Sequence, residues 1–405
     1  MNVKDRFLHY VSFDTQSNPQ SGRHPSTEKQ KDLAKALTEE LTAMGAQKVE
    51  MDDYSYVYGR IPATPGKEAE PVIGLIAHMD TAPDCSGANI KPRIVAGYDG
   101  QDIVLNEAEK IIMSVEEFPQ LLDYVGKDLI VTDGTTLLGA DDKAGVAEIL
   151  SAAEILLQGE GPSHGEIAIA FTPDEEIGEG ADHFDLQQFS ADFAYTVDGG
   201  ALGEIEYECF NAAGVLVMIK GISIHTGDAK NKMRNASLVA MEFLSMLPGA
   251  ERPEHTQGYE GFYHLHQITG TVEQAEMEFL IRDHDKTAFA QRKKTMEQIA
   301  NFLNEKYGES TVSLAIKDSY YNMKEKIQPH MEIVERAQKA MESQGVTPKV
   351  QPIRGGTDGA RLSYEGLPCP NLSAGGHNFH GPFEYVPVQS METMVNVLLE
   401  LVSTK

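Results

Sequence analysis

Apolar residues follow two different spacings along most of this chain. Four short segments are almost entirely apolar or small, which is typical of strands buried on both faces of an α/β sheet. These segments are 71–77, 166–172, 191–197 and 370–376. Other segments repeat apolar residues every three or four positions, which predicts amphipathic helices. These are 26–44, 143–158, 331–345 and a last one that starts near residue 390. The pattern predicts an α/β domain.

The part of the chain between residues 211 and 322 follows a different order. Its spacing predicts strand, helix, strand, strand, helix and strand, which is the β-α-β-β-α-β order of a ferredoxin-like unit. A complete unit between two parts of another sheet indicates an inserted domain. We therefore predict a discontinuous main domain, 1–208 with 323–405, and an inserted domain over 209–322.

The composition is ordinary for a globular protein except for its charge. Of the 405 residues, 41% are hydrophobic and 24% are charged, but the formal net charge is -28. Nucleic acids and anionic membranes would repel a chain of this charge, so neither is expected as a partner.

The sequence shows no signal for export or membrane insertion. The first 14 residues are amphipathic without a long apolar run, and no segment approaches the roughly 20 apolar residues that span a bilayer. The three cysteines, Cys85, Cys209 and Cys369, are far apart, which argues against disulfides and against a thiolate metal site. We expect a cytoplasmic protein.

Side chains that commonly bind metals follow the predicted strands. The first strand is followed by His78, the second by the acidic run 174–176, the third by Asp198, and the fourth by His380. Asp141 differs, because it lies where a helix begins. Functional groups gather beyond the carboxyl ends of strands in open α/β sheets, so we expect these side chains to meet in one site.

Histidine and carboxylate ligands without cysteine are typical of a hydrolytic zinc, cobalt or manganese centre. Five candidate ligands are more than the three that one catalytic zinc takes from the protein. They suit two metals if one carboxylate bridges them. Each metal would then bind one histidine, one terminal carboxylate and one oxygen of the bridging acid.

Each of these residues also has a simpler interpretation. A single histidine at a strand end is usually an ordinary surface or core residue, and an acidic run often lies in a solvated loop or at a helix N-terminus. Asp141 and Asp142 match helix caps, and Asp198 with the two glycines after it matches a turn. Their shared position at strand ends favours the metal centre.

Six separated motifs resemble one known family. They are HMDTAP, GTTLLGADDKAG, FTPDEEIGEGADHFD, TVDGG, IRGGTDGARLS and HNFHG, in this order along the chain. Over nearly its whole length the chain is similar to the aminotripeptidases within the family of co-catalytic zinc peptidases and deacylases. The resemblance implies a mixed-sheet dizinc catalytic domain, an inserted dimerisation or lid domain, and a homodimer.

The resemblance also implies a ligand set with two Zn²⁺ per subunit, for which Co²⁺ or Mn²⁺ are possible substitutes. In the implied arrangement His78 and Asp198 bind one metal, Glu176 and His380 bind the other, and Asp141 bridges both.

Four further residues receive roles from the same resemblance. Glu175 corresponds to the catalytic base, and Asp80 to the carboxylate that orients the imidazole of His78. His225, in the motif ISIHTG, is expected to bind substrate in the partner subunit's site, although it also fits a surface histidine. Arg354 resembles the residue that binds the C-terminal carboxylate of the substrate, although it also fits a structural arginine beside a turn.

The expected activity is the zinc-dependent hydrolysis of tripeptides, which releases the N-terminal residue. A metal-bridging hydroxide would attack the peptide carbonyl, with Glu175 as general base. The alternatives are a dizinc dipeptidase, an N-acyl amino acid deacylase, or an inactive scaffold homologue. The presence of Glu175 and of all five ligand candidates argues against the scaffold.

Overall fold

The chain forms two compact units in a computed structural model that describes residues 1–404. The first unit contains Met1–Tyr207, Glu325–Gln351 and Thr357–Lys405, and the second contains Glu208–Lys324 and Pro352–Gly356.

Ten helices lie in the described chain. They are α1 (Val3–Tyr10), α2 (Gln30–Met44), α3 (Ala140–Leu157), α4 (Leu186–Phe189), α5 (Ala236–Met246), α6 (Lys286–Tyr307), α7 (Lys324–Ile327), α8 (Met331–Ser343), α9 (Asp358–Tyr364) and α10 (Val388–Val402).

The described residues also form seventeen strands. They are β1 (Gln47–Met51), β2 (Val57–Ile61), β3 (Ile73–His78), β4 (Arg93–Val95), β5 (Ile103–Asn106), β6 (Ile111–Met113), β7 (Leu129–Val131), β8 (Ile167–Thr172), β9 (Phe193–Gly199), β10 (Glu204–Glu206), β11 (Asn211–Lys220), β12 (Phe262–Gly270), β13 (Gln274–Asp283), β14 (Val312–Tyr320), β15 (Lys349–Val350), β16 (Asn371–Ser373) and β17 (Tyr385–Pro387).

The first unit is built on an eight-stranded mixed sheet, so the predicted α/β fold class is confirmed. The strand order is β1-β2-β8-β3-β9-β16-β10-β15. The four central neighbours β8, β3, β9 and β16 are parallel to one another. Strands β3, β8 and β16 are buried at every position, which explains why their sequences are apolar runs without alternation. Their carboxyl ends therefore lie along one edge of the sheet.

Helix α3 packs against β3 and β9, and a glycine allows the close approach. A Cβ atom at Gly145 would lie 1.9 Å from the carbonyl oxygen of Val197, which is far inside van der Waals contact. The N-terminal end of α3 is irregular, because Asp141 and Asp142 have non-helical backbone angles. As the sequence predicts, the regular helix begins at Lys143.

The second unit is a four-stranded antiparallel sheet with the order β12-β13-β11-β14, packed against α5 and α6. This is the strand order that a ferredoxin-like β-α-β-β-α-β unit gives. Pro352–Gly356 belong to this unit as well, whereas the sequence predicts them in the main domain. The backbone N–H of Phe210 donates to the carbonyl of Gly355 at 3.3 Å, and the N–H of Ile353 donates to Glu208 at 2.8 Å.

Within residues 1–404, none of the helices combines the length and the apolar character that crossing a membrane requires.

A buried acid in α3 gives a first prediction. Glu148 is fully buried, and within residues 1–404 neither carboxyl oxygen has a hydrogen-bond partner, so burial raises the pKa of this group well above its ordinary value. The folded state then keeps a proton that the unfolded chain releases above its ordinary pKa near 4.5. We expect the free energy of unfolding to fall by about 1.4 kcal/mol for each pH unit above that value, until the folded-state pKa is reached.

Denaturant unfolding between pH 5 and 8 measures this effect. Glu148→Gln should flatten the decline and be more stable than the wild type at pH 8, because an amide has no proton to lose. Glu160→Gln, at an exposed position just beyond the same helix, is the control and should keep the wild-type slope. Equal slopes in the wild type and Glu148→Gln would contradict a neutral buried carboxyl.

Candidate metal centre

The carboxyl ends of the parallel strands bring the predicted ligands together. His78 is the last residue of β3, Asp198 is the penultimate residue of β9, and the turn that carries Glu176 follows β8. His380 lies in the segment between β16 and β17, and Asp141 lies at the irregular start of α3. All five belong to the first unit.

The imidazole of His78 contacts three carboxylates. Its Nε2 atom is 2.8 Å from Oδ1 of Asp141 and 3.2 Å from Oδ1 of Asp198. Its other ring nitrogen, Nδ1, is 3.3 Å from Oδ1 of Asp80 and 3.1 Å from the backbone oxygen of the same residue. The imidazole is buried and is contacted through both nitrogens, so its orientation is fixed.

His380 forms a second group on the other side of Asp141. Its Nε2 atom is 3.2 Å from Oδ2 of Asp141 and 2.9 Å from Oε2 of Glu176. The two oxygens of Asp141 therefore contact two different histidines. Each half of the site contains one histidine, one further carboxylate and one oxygen of Asp141.

Glu175 lies beside this pair of groups. Ligand atoms of His78, Glu175 and Asp198 all lie within 4.8 Å of one another, and those of His78, Asp141 and Glu176 do so too. The backbone N–H groups of Glu175 and Glu176 donate to Oδ1 and Oδ2 of Asp80, at 3.0 and 3.2 Å. Asp80 thus contacts the imidazole of His78 and also fixes the turn that carries Glu175.

Comparison with known proteins identifies the family. The sequence profile of Peptidase family M20/M25/M40 matches residues 132–404, which is more than half of the chain. The chain belongs to peptidase family M20. It is therefore an enzyme of the hydrolase class, and the resemblance read from the motifs is confirmed.

The curated relatives within the M20 family include proteins named Peptidase T. Peptidase T of Halothermothrix orenii is 57% identical over 400 residues, which cover 99% of this chain and 98% of that protein. Peptidase T of Clostridium novyi is 56% identical with the same coverage.

Solved structures show the same M20 fold. Aminopeptidase PepT of Bacillus cereus matches with a TM-score of 0.76 and 24% identity, over 99% of this chain and 97% of that chain. A dinuclear metal-binding M20 peptidase of Bacillus subtilis matches with a TM-score of 0.64 and 16% identity, over 99% and 96% of the two chains.

Negative charge is concentrated at the M20 site. Burial opposes protonation of His78, but Asp198, Asp141 and Asp80 outweigh it and raise the pKa of this imidazole. Hydrogen bonds to Asp141 and Glu176 raise the pKa of His380 to about 11. Five carboxyl groups meet two imidazoles here, so the acids outnumber the bases that could neutralise them. Such a site attracts cations.

The two residues predicted to bind substrate lie in the second unit. His225 is exposed, and its Nδ1 atom accepts a hydrogen bond from the N–H of Gly227 at 3.2 Å. The guanidinium of Arg354 donates to the carbonyls of Gly258 and Glu260 at 2.7 and 2.9 Å. Their roles in substrate binding stay predictions.

Sequence reasoning missed three acids that support the M20 site. Asp142 accepts hydrogen bonds from the N–H groups of His78 and Gly145, at 3.1 and 3.2 Å. Glu384 accepts three backbone hydrogen bonds in the loop that leads to Asp141. Asp142 lies within the motif GTTLLGADDKAG, and Glu384 lies shortly after HNFHG. This closeness to the candidate ligands is the one feature of the sequence that points to a supporting role.

The third missed acid, Asp174, is the first residue of the DEE string. It is part of a separate group with His24 and Glu179 whose ligand atoms also lie within 4.8 Å of one another. The Asp174 carboxylate accepts hydrogen bonds from Ser26 and Gln30, and His24 Nδ1 lies 3.4 Å away. Because these donors occupy the carboxylate, we interpret the group as an anchor for the turn before Glu175 and not as a metal site.

Proposed function

We propose that this chain is a metal-dependent aminopeptidase that hydrolyses tripeptides and releases their N-terminal residue. The observation that supports this most directly is the position of Asp141, which offers one oxygen to each of two histidine-carboxylate groups beside Glu175. A single carboxylate shared by two such groups is an arrangement that suits a co-catalytic metal pair. The curated relatives named Peptidase T, such as those at 57% and 56% identity over nearly the whole chain, support the tripeptide substrate.

The residues present fit two divalent metal ions. The ligand atoms are imidazole nitrogens and carboxylate oxygens, which suit zinc, with cobalt or manganese as substitutes. Oε1 of Glu176 is buried and has no hydrogen-bond partner within residues 1–404, as expected of a carboxylate whose second oxygen is free for a cation. We assign His78, Asp141 and Asp198 to one metal and Asp141, Glu176 and His380 to the other.

The chemistry follows from the positions of the side chains. When bound, two metal ions supply an activated water and polarise the scissile carbonyl. Glu175 accepts the proton of that water and returns it to the amine that leaves. Burial and Asp198 both raise the pKa of Glu175, so this carboxylate can act as a base only where cations offset the surrounding negative charge. Asp80 fixes the turn through the N–H of Glu175.

The test compares three substrates on protein loaded with Zn²⁺. A tripeptide with a free amine should be cleaved to an amino acid and a dipeptide, while its N-acetylated form and a dipeptide should react slowly. Chelation should abolish the reaction and added Zn²⁺ should restore it. Cleavage of the acetylated compound alone would make the chain a deacylase. Absence of metal-dependent turnover of any compound would make it a scaffold.

We further propose that the second unit forms a homodimer and that His225 acts in the partner's site. Helix α5 buries one face and exposes another that carries Leu238 and Met241, each with 62% of its surface accessible. Since Nδ1 of His225 accepts the N–H of Gly227, the neutral ring carries its proton on Nε2. That N–H is a suitable donor to a developing oxyanion.

We also propose that Arg354 binds the substrate carboxylate, for which a guanidinium is well suited.

Mixed dimers test whether His225 acts across the interface. Each variant alone, His225→Ala or Glu175→Gln, should lose activity. The loss for His225→Ala should be about 10²–10³-fold, as is usual when a single oxyanion donor is removed. Co-expression with two different tags yields a mixed dimer. If His225 acts in the partner, one of the two sites in that dimer has both groups, and activity should return to about half of the wild type. An inactive mixed dimer would place His225 in its own subunit's site.

We propose a cytoplasmic location and no nucleic acid partner. The three cysteines lie far apart in the sequence, which suits a reducing compartment, and the net charge of -28 repels polyanions.

A further inference from the structure

Glu384 is a buried carboxylate that the proposed reaction does not use. It lies four residues after His380 and directly before β17, and only 1% of its surface is accessible. Its Oε2 atom accepts hydrogen bonds from the N–H groups of Leu138 and Gly139, at 2.6 and 2.8 Å. Its Oε1 atom accepts the N–H of Asp141 at 3.1 Å. One side chain thus binds three backbone donors of a single short loop.

Those three donors lie where the backbone of the loop is irregular. Gly139 has a left-handed conformation with φ of 79° and, as a glycine, has no side chain that could accept the N–H groups around it. Asp141 follows with non-helical angles. Backbone N–H groups in such a buried turn need an acceptor, and a carboxylate supplies two oxygens for this purpose. Without Glu384 the peptide of Asp141 would lose the acceptor that fixes it.

We propose that Glu384 is a positioning residue. It sets the distance between the segment that carries His380 and the loop that carries Asp141. Glu384 continues the segment that carries His380, and its carboxylate binds the loop that carries Asp141. These two segments are far apart in sequence, yet Nε2 of His380 lies 3.2 Å from Oδ2 of Asp141. The carboxylate connects them directly, so the contact between the bridging acid and the second histidine depends on it. This inference rests on the proposed two-metal function.

The test is Glu384→Gln, which keeps the shape of the side chain and replaces one acceptor oxygen with an NH₂ donor. Whichever way the amide is oriented, an N–H group then faces a backbone N–H of the loop. We expect metal affinity, measured by competition with a chromophoric chelator, to fall about 10–100-fold, as is usual for groups that orient metal ligands. In the metal-free protein, amide hydrogen exchange at residues 138–141 should become faster.

Glu148→Gln is the matched control, because it makes the same chemical change at a buried acid that binds no loop. It should keep the wild-type metal affinity and the wild-type exchange at residues 138–141. A Glu384→Gln variant with metal affinity and exchange equal to those of the control would overturn the proposal. So would a variant that melts earlier but binds metal as tightly as the control, because Glu384 would then be only structural. Failure of the wild type itself to bind two metals would instead refute the proposed function, and the exchange measurement would still test the loop contact.

Discussion

Glu175→Gln is expected to lower kcat on a tripeptide by about 10²–10⁴-fold, the usual contribution of a general base. The amide keeps the size of the side chain but cannot accept the proton of the attacking water. Metal stoichiometry should stay at two, because Glu175 lies beside the ligand groups and Glu176 supplies the carboxylate that contacts His380. KM should change little, since the variant removes an interaction that matters mainly in the transition state. Steady-state kinetics and metal analysis of the same sample measure both quantities.

The matched control is Glu179→Gln in the same turn, four residues further along the chain. Glu179 is 44% accessible and lies in the group around Asp174, away from the two histidines of the centre. It should keep nearly full activity. If Glu175→Gln retained wild-type kcat, or lost a metal ion together with its activity, the assignment of the base would have to move to another residue.

The turn after β8 supports the different roles proposed for Glu175 and Glu176. Asp174 has a left-handed backbone with φ of 57°, and the next residues form a short 3-10 turn. The N–H groups of Glu175 and Glu176 both donate to Asp80, which fixes their peptides. The Glu176 side chain then reaches His380, while Glu175 reaches the side of the site near His78 and Asp198. The two adjacent side chains thus contact different residues of the site.

The features that the sequence predicts well are those that depend on local spacing. The apolar runs before His78 and Asp198 become buried parallel strands, because residues covered on both faces must be apolar throughout. Parallel strands end at a common edge, so the ligands that follow them could be expected to meet. The separation of the chain into an α/β sheet and a β-α-β-β-α-β unit rests on the same periodicity.

The features that the sequence does not predict are contacts between distant segments. Glu384 and Leu138 are 246 positions apart, and no spacing indicates that one binds the other. A carboxylate that accepts backbone N–H groups leaves no pattern, since every residue except proline offers such a donor. The sequence also does not predict that Pro352–Gly356 belong to the second unit. Their place there depends on backbone hydrogen bonds such as that of Phe210 to Gly355, which leave no pattern either. For the same reason, the motif that contains Arg354 does not indicate that this residue contacts the loop of Gly258.

Asp141→Ala is expected to abolish the binding of both metal ions and to reduce activity at least as much as the ~10²–10⁴-fold loss expected from removing the base. The reason is geometric, since Oδ1 contacts His78 while Oδ2 contacts His380, and each half of the site loses an oxygen at once. Added Zn²⁺ should raise the melting temperature of the wild type but not that of the variant. An ion held at 100 times its Kd stabilises a folded protein by about 2.7 kcal/mol.

Two further variants show whether the loss of both metal ions is specific to Asp141, the proposed bridging residue. Asp198→Ala removes a carboxylate that contacts His78, and His380→Ala removes the imidazole between Asp141 and Glu176, so each alters only one half of the site. Metal analysis after dialysis at limiting Zn²⁺ should give about one tightly bound ion for each of these variants and about none for Asp141→Ala, since only Asp141 is shared. If Asp141→Ala kept one tight ion as they do, its carboxylate would belong to a single metal. The proposed pair would then need another bridge, and the site would be two separate centres that happen to lie side by side.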